Sequence, residues 1–151
     1  MPKILLDSTY LLPFIGIDVG IPDDELDSLL TSENQIYVNE ISLFEILGKG
    51  LRELIKNKLL YSRLQVGLVS LKEDDRFSFF TITESLIHSD LIARIYLAGL
   101  HDVPDCIILS SAIQFDLFLT EAEDIPQISV TFKEFQHLNI LNWMKFKKNF
   151  L

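Results

Sequence analysis

Hydrophobic positions along the chain follow two different periods. Short apolar runs that are typical of strands occur at KILLD (3–7), QIYVN (35–39), RFSFFTIT (76–83), DLFLT (116–120) and ISVTF (128–132). Apolar residues at helical spacing predict helices at 8–16, 21–32, 41–55 continuing through 59–75, 84–100 and 102–115. This alternation predicts the α/β class, as a three-layer α/β/α sandwich with a central, mainly parallel sheet.

The composition indicates one globular domain spanning residues 1–151. Of its residues 48% are hydrophobic and 23% are charged, which excludes intrinsic disorder as the main state. Cys106 is the single cysteine and fits a small buried apolar role in a reducing compartment, so we expect a cytoplasmic protein. No uncharged apolar run reaches the ~20 residues of a membrane helix. The net charge of −9 opposes non-specific attraction to nucleic acid, so such a partner needs local basic groups or bound cations.

Acidic residues fall where a parallel sheet gathers its ligands. They follow predicted strands or open predicted helices, at Asp7, Glu45, Asp105, Glu121, Glu123 and Asp124. Strand carboxyl ends and the following helix N-termini share one edge of such a sheet. Carboxylates gathered there repel one another unless a cation neutralises them, and oxygen ligands without Cys or His suit Mg²⁺ or Mn²⁺. Such ions commonly serve phosphoryl chemistry.

Each acid also has an ordinary structural interpretation. Ser42-x-x-Glu45 and Thr120-x-x-Glu123 match the capping box, in which a hydroxyl and a carboxylate close a helix N-terminus. Asp102 is placed to cap the helix that has Asp105 in its first turn. Taken singly, Glu45 and Asp102 are better explained by capping, and Asp7 and Asp105 equally well by either interpretation. Only the joint arrangement of the acids favours a metal site.

Four segments, LLDSTYLL, ISLFEIL, DCIILSSAI and FLTEAEDI, resemble in order and spacing the PIN domain family of metal-dependent nucleases. The resemblance runs from about Lys3 to Phe132. It implies the parallel sheet flanked by helices that the pattern predicts. Members are mostly single-strand ribonucleases, and many are toxins of VapBC-type toxin–antitoxin pairs.

The resemblance implies a set of site residues. Asp7, Glu45 and Asp105 match the family's metal-binding and catalytic acids, and Asp102 lies beside them in a supporting position. Thr120 matches the threonine of the T-x-D segment, and Ser8 or Thr9 the small hydroxyl residue beside the first aspartate.

The chain departs from the family pattern at one position. Ala122 stands where the family usually has its fourth aspartate. Glu121 or Glu123 could supply the missing carboxylate from a neighbouring position, and Asp124 lies where members often have another acid. The departure affects whether a second metal ion can bind and whether the site is active.

The resemblance implies hydrolysis of single-stranded RNA by metal-activated water, with Mg²⁺ or Mn²⁺ as cofactor. The implied partners are a small antitoxin protein and a second copy of the chain in a homodimer, with no membrane. One alternative is a PIN-fold RNA-binding or interaction module that has lost catalysis. Another is a Mg²⁺-dependent phosphatase or receiver-like domain phosphorylated on Asp7, for which no well-placed partner lysine is found.

Two further segments have open interpretations. Lys49, Arg52, Lys56 and Lys58 form a basic stretch after Glu45, which either contacts RNA backbone or, more commonly, is a solvated helix face. The tail mixes aromatic and basic residues, as a contact surface or as a segment docked on the core with its lysines in solvent. The tail residues are Trp143, Met144, Lys145, Phe146, Lys147, Lys148 and Phe150.

Overall fold

The computed structural model describes all residues, 1–151, and contains one five-stranded parallel sheet. The strands are β1 (Lys3–Leu6), β2 (Gln35–Asn39), β3 (Phe77–Phe80), β4 (Leu117–Leu119) and β5 (Asn139–Leu141). They are arranged in the order β3-β2-β1-β4-β5, and every neighbouring pair is parallel. The reversal of strand order beside β1 creates a switch point, where ligands of open α/β sheets bind.

Eight α-helices connect and cover the strands. They are α1 (Asp23–Leu30), α2 (Ile41–Lys56), α3 (Leu60–Glu73), α4 (Ile82–Leu86), α5 (Ser89–Leu97), α6 (Val103–Ser111), α7 (Asp124–Ser129) and α8 (Trp143–Phe150). Three 3-10 helices lie at Ser8–Ile15, Ala112–Gln114 and Lys133–Phe135. None of these helices combines the length and the apolar character that crossing a membrane requires.

Alternate residues of the central strands pack into two separate cores. On β1, Ile4 and Leu6 join one core with the first 3-10 helix and with side chains of α1, α2, α3 and α8. Leu5, between them, points to the other face and joins side chains of α5, α6 and α7. This burial on both faces confirms the predicted α/β/α sandwich. It also explains why the central strands are continuous apolar runs in the sequence.

The first 3-10 helix is held close to β1 by direct packing against α3. A Cβ added to Gly67 of α3 would lie 2.1 Å from the Phe14 carbonyl oxygen, so only glycine permits this approach. The segment contains Pro13 and ends at Gly16, whose φ of 84° any other residue would adopt with strain. The chain directly after Asp7 is therefore fixed in place.

The predicted strand at ISVTF (128–132) is wrong. These residues form the end of α7 and the turn after it, and Val130 is 82% exposed. Asp124 and Pro126 lie in the first turn of α7, where an acid and a proline both favour a helix. The fifth strand is instead Asn139–Leu141, which is too short to carry a periodic signal.

Two predicted helices are interrupted. Residues 41–75 form two helices, because Asn57 adopts an extended conformation and its side-chain oxygen accepts a hydrogen bond from the Leu59 N–H. Residues 84–100 are also divided, between α4 and α5, around His88. A capping box that the pattern did not predict, Thr81 with Glu84, opens α4.

Candidate metal site

Asp7 lies at the carboxyl end of β1 and is held by three neighbours. Its N–H donates to the Leu119 carbonyl at 3.0 Å, which extends the pairing of β1 with β4. Its Oδ1 accepts from the Ser8 N–H at 2.7 Å, and its Oδ2 accepts from the Thr120 hydroxyl at 2.6 Å. With 5% of its surface exposed, Asp7 presents its carboxylate in one fixed orientation.

Asn39, at the carboxyl end of β2, sets the start of α2. It is fully buried, its side-chain oxygen accepts from the Ile41 N–H, and its amide donates to the hydroxyls of Ser85 and Ser111. The sequence pattern alone does not predict this role for Asn39, although its position at the end of a strand points to the same edge of the sheet as Asp7. This network ties α2, which carries Glu45, to α4 and α6.

Neither predicted capping box is present. Helix α2 begins at Ile41, and both the Ser42 hydroxyl and the Glu45 Oε1 are buried without a hydrogen-bond partner. The Thr120 hydroxyl binds Asp7 and accepts from the Ala122 N–H, so it caps no helix. The capping explanations of Glu45 and Glu123 are therefore wrong.

Asp102 caps α6 as expected. Its Oδ1 accepts from the Asp105 N–H at 3.1 Å, so Asp102 closes the helix while the Asp105 carboxylate stays free. By accepting this hydrogen bond, Asp102 fixes the turn that carries Asp105, next to the cluster where a supporting role was predicted for it.

Three carboxylates from distant parts of the chain meet at this edge of the sheet. Asp7, Glu45 and Asp105 each offer an oxygen, and these atoms all lie within 4.8 Å of one another. Asp7 is buried and the other two are half-buried. No arginine or lysine forms an ion pair with any of them.

Burial raises the pKa values of all three acids, and mutual repulsion adds to this for Glu45 and Asp105. Burial raises the pKa of Asp7, against the opposing effect of its hydrogen bonds. Burial, followed by the Asp7 charge, raises the pKa of Glu45 to about 7, partly offset by Lys49. Burial, followed by the charges of Asp7, Asp102 and Glu45, raises the pKa of Asp105 to about 7. Such shifts favour a bound cation, which would remove the repulsion.

The donor set fits a hard divalent cation. All three groups offer carboxylate oxygens, which Mg²⁺ and Mn²⁺ prefer, and no sulfur or imidazole belongs to the cluster. A cation would also give the orphaned Glu45 Oε1 a partner. Buried oxygens without a partner are costly, and a bound cation would remove that cost at Glu45.

The acids after β4 do not join the cluster. Glu121 Oε1 accepts from the Tyr10 hydroxyl at 2.6 Å and from the Trp143 N–H at 2.8 Å. Glu123 and Asp124 are exposed at the start of α7, although the Asp124 charge raises the pKa of Asp105. The structure therefore gathers three of the six predicted ligands, and a metal-binding role for the other three stays a prediction.

The two hydroxyl candidates beside Asp7 differ in their surroundings. Ser8 is buried and its N–H contacts the Asp7 carboxylate, whereas Thr9 is half-buried in the next position. Of the two, Ser8 contacts the cluster.

Comparison with known proteins supports the fold. No protein-family model and no curated protein sequence matches the chain. Among solved structures, the chain resembles the crystal structure of VapBC2 from Rickettsia felis bound to a DNA fragment from their promoter. The sequence identity is 21%, the TM-score is 0.60, and the match covers 93% of this chain and 98% of that chain. The three-layer architecture, the parallel sheet and this likeness together show that the chain has a PIN-type fold.

Proposed function

We propose that the protein is a metal-dependent endoribonuclease that hydrolyses phosphodiester bonds of single-stranded RNA. One observation carries the proposal: Asp7, Glu45 and Asp105 bring carboxylate oxygens within 4.8 Å of one another with no protein cation to pair them. Such a cluster is costly without a divalent ion and suited to phosphoryl transfer with one. The PIN-type fold and the order of the four motifs support the same reaction.

Asp7, Glu45 and Asp105 would hold Mg²⁺ or Mn²⁺, and a bound ion of this kind supplies water activation and charge stabilisation on the phosphate. The Thr120 hydroxyl and the Ser8 N–H orient the Asp7 carboxylate. Asp102 fixes the turn that presents Asp105. No side chain in the cluster serves as a covalent nucleophile in this proposal.

The test is cleavage of a single-stranded RNA by the purified protein with Mg²⁺, with Mn²⁺ and with EDTA. We expect cleavage only with a metal. Asp7→Asn should lower it by more than about 100-fold, because losing a ligand should cost more than the 10–100-fold typical of losing a group that only orients one. Glu33→Gln is the matched control, since Glu33 is exposed and precedes β2, at the edge of the sheet opposite the cluster.

Metal binding is measured on the same proteins. Calorimetric titration with Mn²⁺ should show binding to the unsubstituted protein and to Glu33→Gln, but not to Asp7→Asn. Metal-independent cleavage, or unchanged Mn²⁺ affinity in Asp7→Asn, would contradict the proposal.

We extend the proposal to a cytoplasmic toxin that works with a small antitoxin protein and forms a homodimer. The structural likeness to a protein of the VapBC2 complex supports this context. Production of the chain in bacteria should halt growth, and Asp7→Asn should not. A small protein encoded by the adjacent gene should restore growth, and light scattering should report a dimer.

A second candidate function is a PIN-fold RNA-binding or interaction module without catalysis. Ala122 favours it, because no carboxylate stands at that position and Glu121 is bound to Tyr10 and Trp143 instead. A module of this kind would bind RNA without cleaving it and would bind Mn²⁺ weakly or not at all. The same titration separates the two functions.

A further inference from the structure

One face of α2 carries a candidate metal ligand followed by a row of cations. Glu45, Lys49, Arg52 and Lys56 follow one another at spacings of four, three and four residues. Residues at this spacing lie on one side of a helix, about 5.4 Å apart for each turn. We call Lys49, Arg52 and Lys56 the α2 basic stripe. It begins one turn from the carboxylate cluster and leads away from it to the end of the helix.

Two members of the α2 basic stripe have no acidic partner. Lys56 pairs with Glu53 at 3.5 Å, whereas Lys49 and Arg52 form neither an ion pair nor a side-chain hydrogen bond. Both are therefore free to bind an anionic ligand that is held at this face.

Both unpaired cations lie toward the carboxylate cluster. Lys49 is half-buried, and its charge lowers the pKa values of Asp7 and Glu45, although burial still raises both. A Cβ added to Gly48 would lie 3.6 Å from Arg52 Nη1, so the Arg52 guanidinium folds back along α2 toward the cluster. The two charges are therefore directed to the end of α2 where the scissile phosphate would lie.

The charge of the whole chain is divided unequally. Residues 41–73, which include α2 and α3, carry six cations and three acids, a net charge of +3. The rest of the chain carries −12. An anionic partner steered by this field would approach the carboxylate cluster from the α2 side.

An apolar row runs beside the α2 basic stripe. Phe44, Leu51 and Ile55 are 63%, 51% and 85% exposed, and they occupy the neighbouring face of the same helix. Phe44 directly precedes Glu45. Proteins bind single-stranded nucleic acid with cations that contact the phosphate backbone and with exposed aromatic rings on which the bases stack.

We propose that the α2 basic stripe binds the backbone of the RNA strand next to the scissile phosphate, with Phe44 as a stacking surface. This inference rests on the proposed function and adds the path of the substrate. Lys49 and Arg52 contact phosphates directly, and the contacts are independent of base sequence.

The test measures RNA affinity in an Asp105→Asn background, in which the strand stays intact. Fluorescence anisotropy with a labelled single-stranded RNA compares Lys49→Gln/Arg52→Gln with Lys133→Gln/Lys148→Gln. The second pair removes two exposed lysines outside α2 and gives the same net charge. We expect the first pair to weaken binding at least about tenfold, equally for different RNA sequences. Its slope of log affinity against log salt should fall by about 1.4, or about 0.7 for each phosphate that is no longer neutralised.

Further variants and measurements separate the outcomes. Lys49→Arg/Arg52→Lys should keep the affinity, and Phe44→Ala should weaken it without changing the salt slope. Mn²⁺ binding by Lys49→Gln/Arg52→Gln with Asp105 intact should persist.

If the unsubstituted protein cleaves RNA with Mn²⁺ and Lys49→Gln/Arg52→Gln binds RNA as well as the Lys133→Gln/Lys148→Gln pair, the path along α2 is wrong and the proposed function stands. The path along α2 is also wrong if the α2 substitutions abolish only binding of an acidic protein partner. Absence of both Mn²⁺ binding and cleavage in the unsubstituted protein would instead overturn the proposed function.

Discussion

Two groups of acidic side chains have opposite surroundings. Asp7, Glu45 and Asp105 face one another without an ion-paired cation, and their pKa values are raised. Glu25 and Glu121 face hydrogen-bond donors of the tail and of the first 3-10 helix instead. Glu25 contacts Lys147 and the Trp143 indole N–H, and these contacts hold its pKa below the usual range.

The contrast separates structural acids from functional ones. Glu25 and Glu121 join α8 to the body of the domain, with Trp143 between them donating to both. Asp7 also has donors, the Ser8 N–H and the Thr120 hydroxyl, but burial outweighs them, and the repulsion among the three clustered acids opposes folding. An acid that stabilises the fold is surrounded mainly by hydrogen-bond donors or cations. Clustered acids without a bound cation instead lower the stability of the metal-free protein.

The largest effect on stability is expected from Glu121→Ala. Tyr10 is fully buried, and this substitution removes the acceptor of its hydroxyl and also that of the Trp143 N–H. An unpaired buried donor costs about 1–3 kcal/mol, so the free energy of unfolding should fall by about that amount. Urea denaturation measures it, with the exposed Glu123→Ala as control. Equal stability of the two variants would mean that Glu121 has no structural role.

The sequence predicts the fold well where a segment is buried on both faces. β1, β2 and β4 are central strands, and their apolar runs were assigned with nearly correct bounds. The fifth strand lies at the sheet edge and has three residues, so backbone pairing with β4 alone defines it. The break at Asn57 also escaped prediction, because a single side-chain hydrogen bond ends the helix within a continuous apolar pattern.

The site was predicted unequally for a similar reason. Asp7 follows a strand and Asp105 opens a helix, and both positions place the carboxylate at the carboxyl edge of the sheet. Glu121 occupies an equally suggestive position after β4, yet its carboxylate binds Tyr10 and Trp143, which are far away in sequence. Local spacing cannot show which distant donors a side chain will meet. Both predicted capping boxes are absent for the same reason.

A smaller effect, of opposite sign, is expected from Asp105→Asn in the metal-free protein. The pKa of Asp105 is raised from 3.8 to about 7, so between these pH values the folded state holds a proton that the unfolded state has released. Stability from this group is complete below pH 3.8 and is lost as the pH rises through about 7. Asparagine has no such loss and should stabilise the protein at pH 8 by about 1 kcal/mol, after allowance for solvent screening at this half-buried position.

Thermal unfolding in EDTA at pH 4 and pH 8 tests this expectation. The variant and the unsubstituted protein should differ at pH 8 and nearly coincide at pH 4. Mn²⁺ at pH 8 should raise the melting temperature of the unsubstituted protein and leave that of the variant unchanged, because only a folded site binds the ion. A variant less stable than the unsubstituted protein in EDTA at pH 8 would show that the cluster is not repulsive.

The smallest effect is expected from Glu25→Gln, and its pH dependence runs the other way. The pKa of Glu25 is lowered from 4.5 by Lys147 and Trp143, so its contribution is present above pH 4.5 and is lost as the pH falls through the folded-state pKa. Glutamine keeps an acceptor for the Trp143 indole and loses only the attraction of Lys147, which salt screens. The variant should therefore melt slightly below the unsubstituted protein at pH 7 in low salt and together with it in high salt. A melting temperature that rises in Glu25→Gln, as it should in Asp105→Asn, would remove the distinction between the two groups of acids.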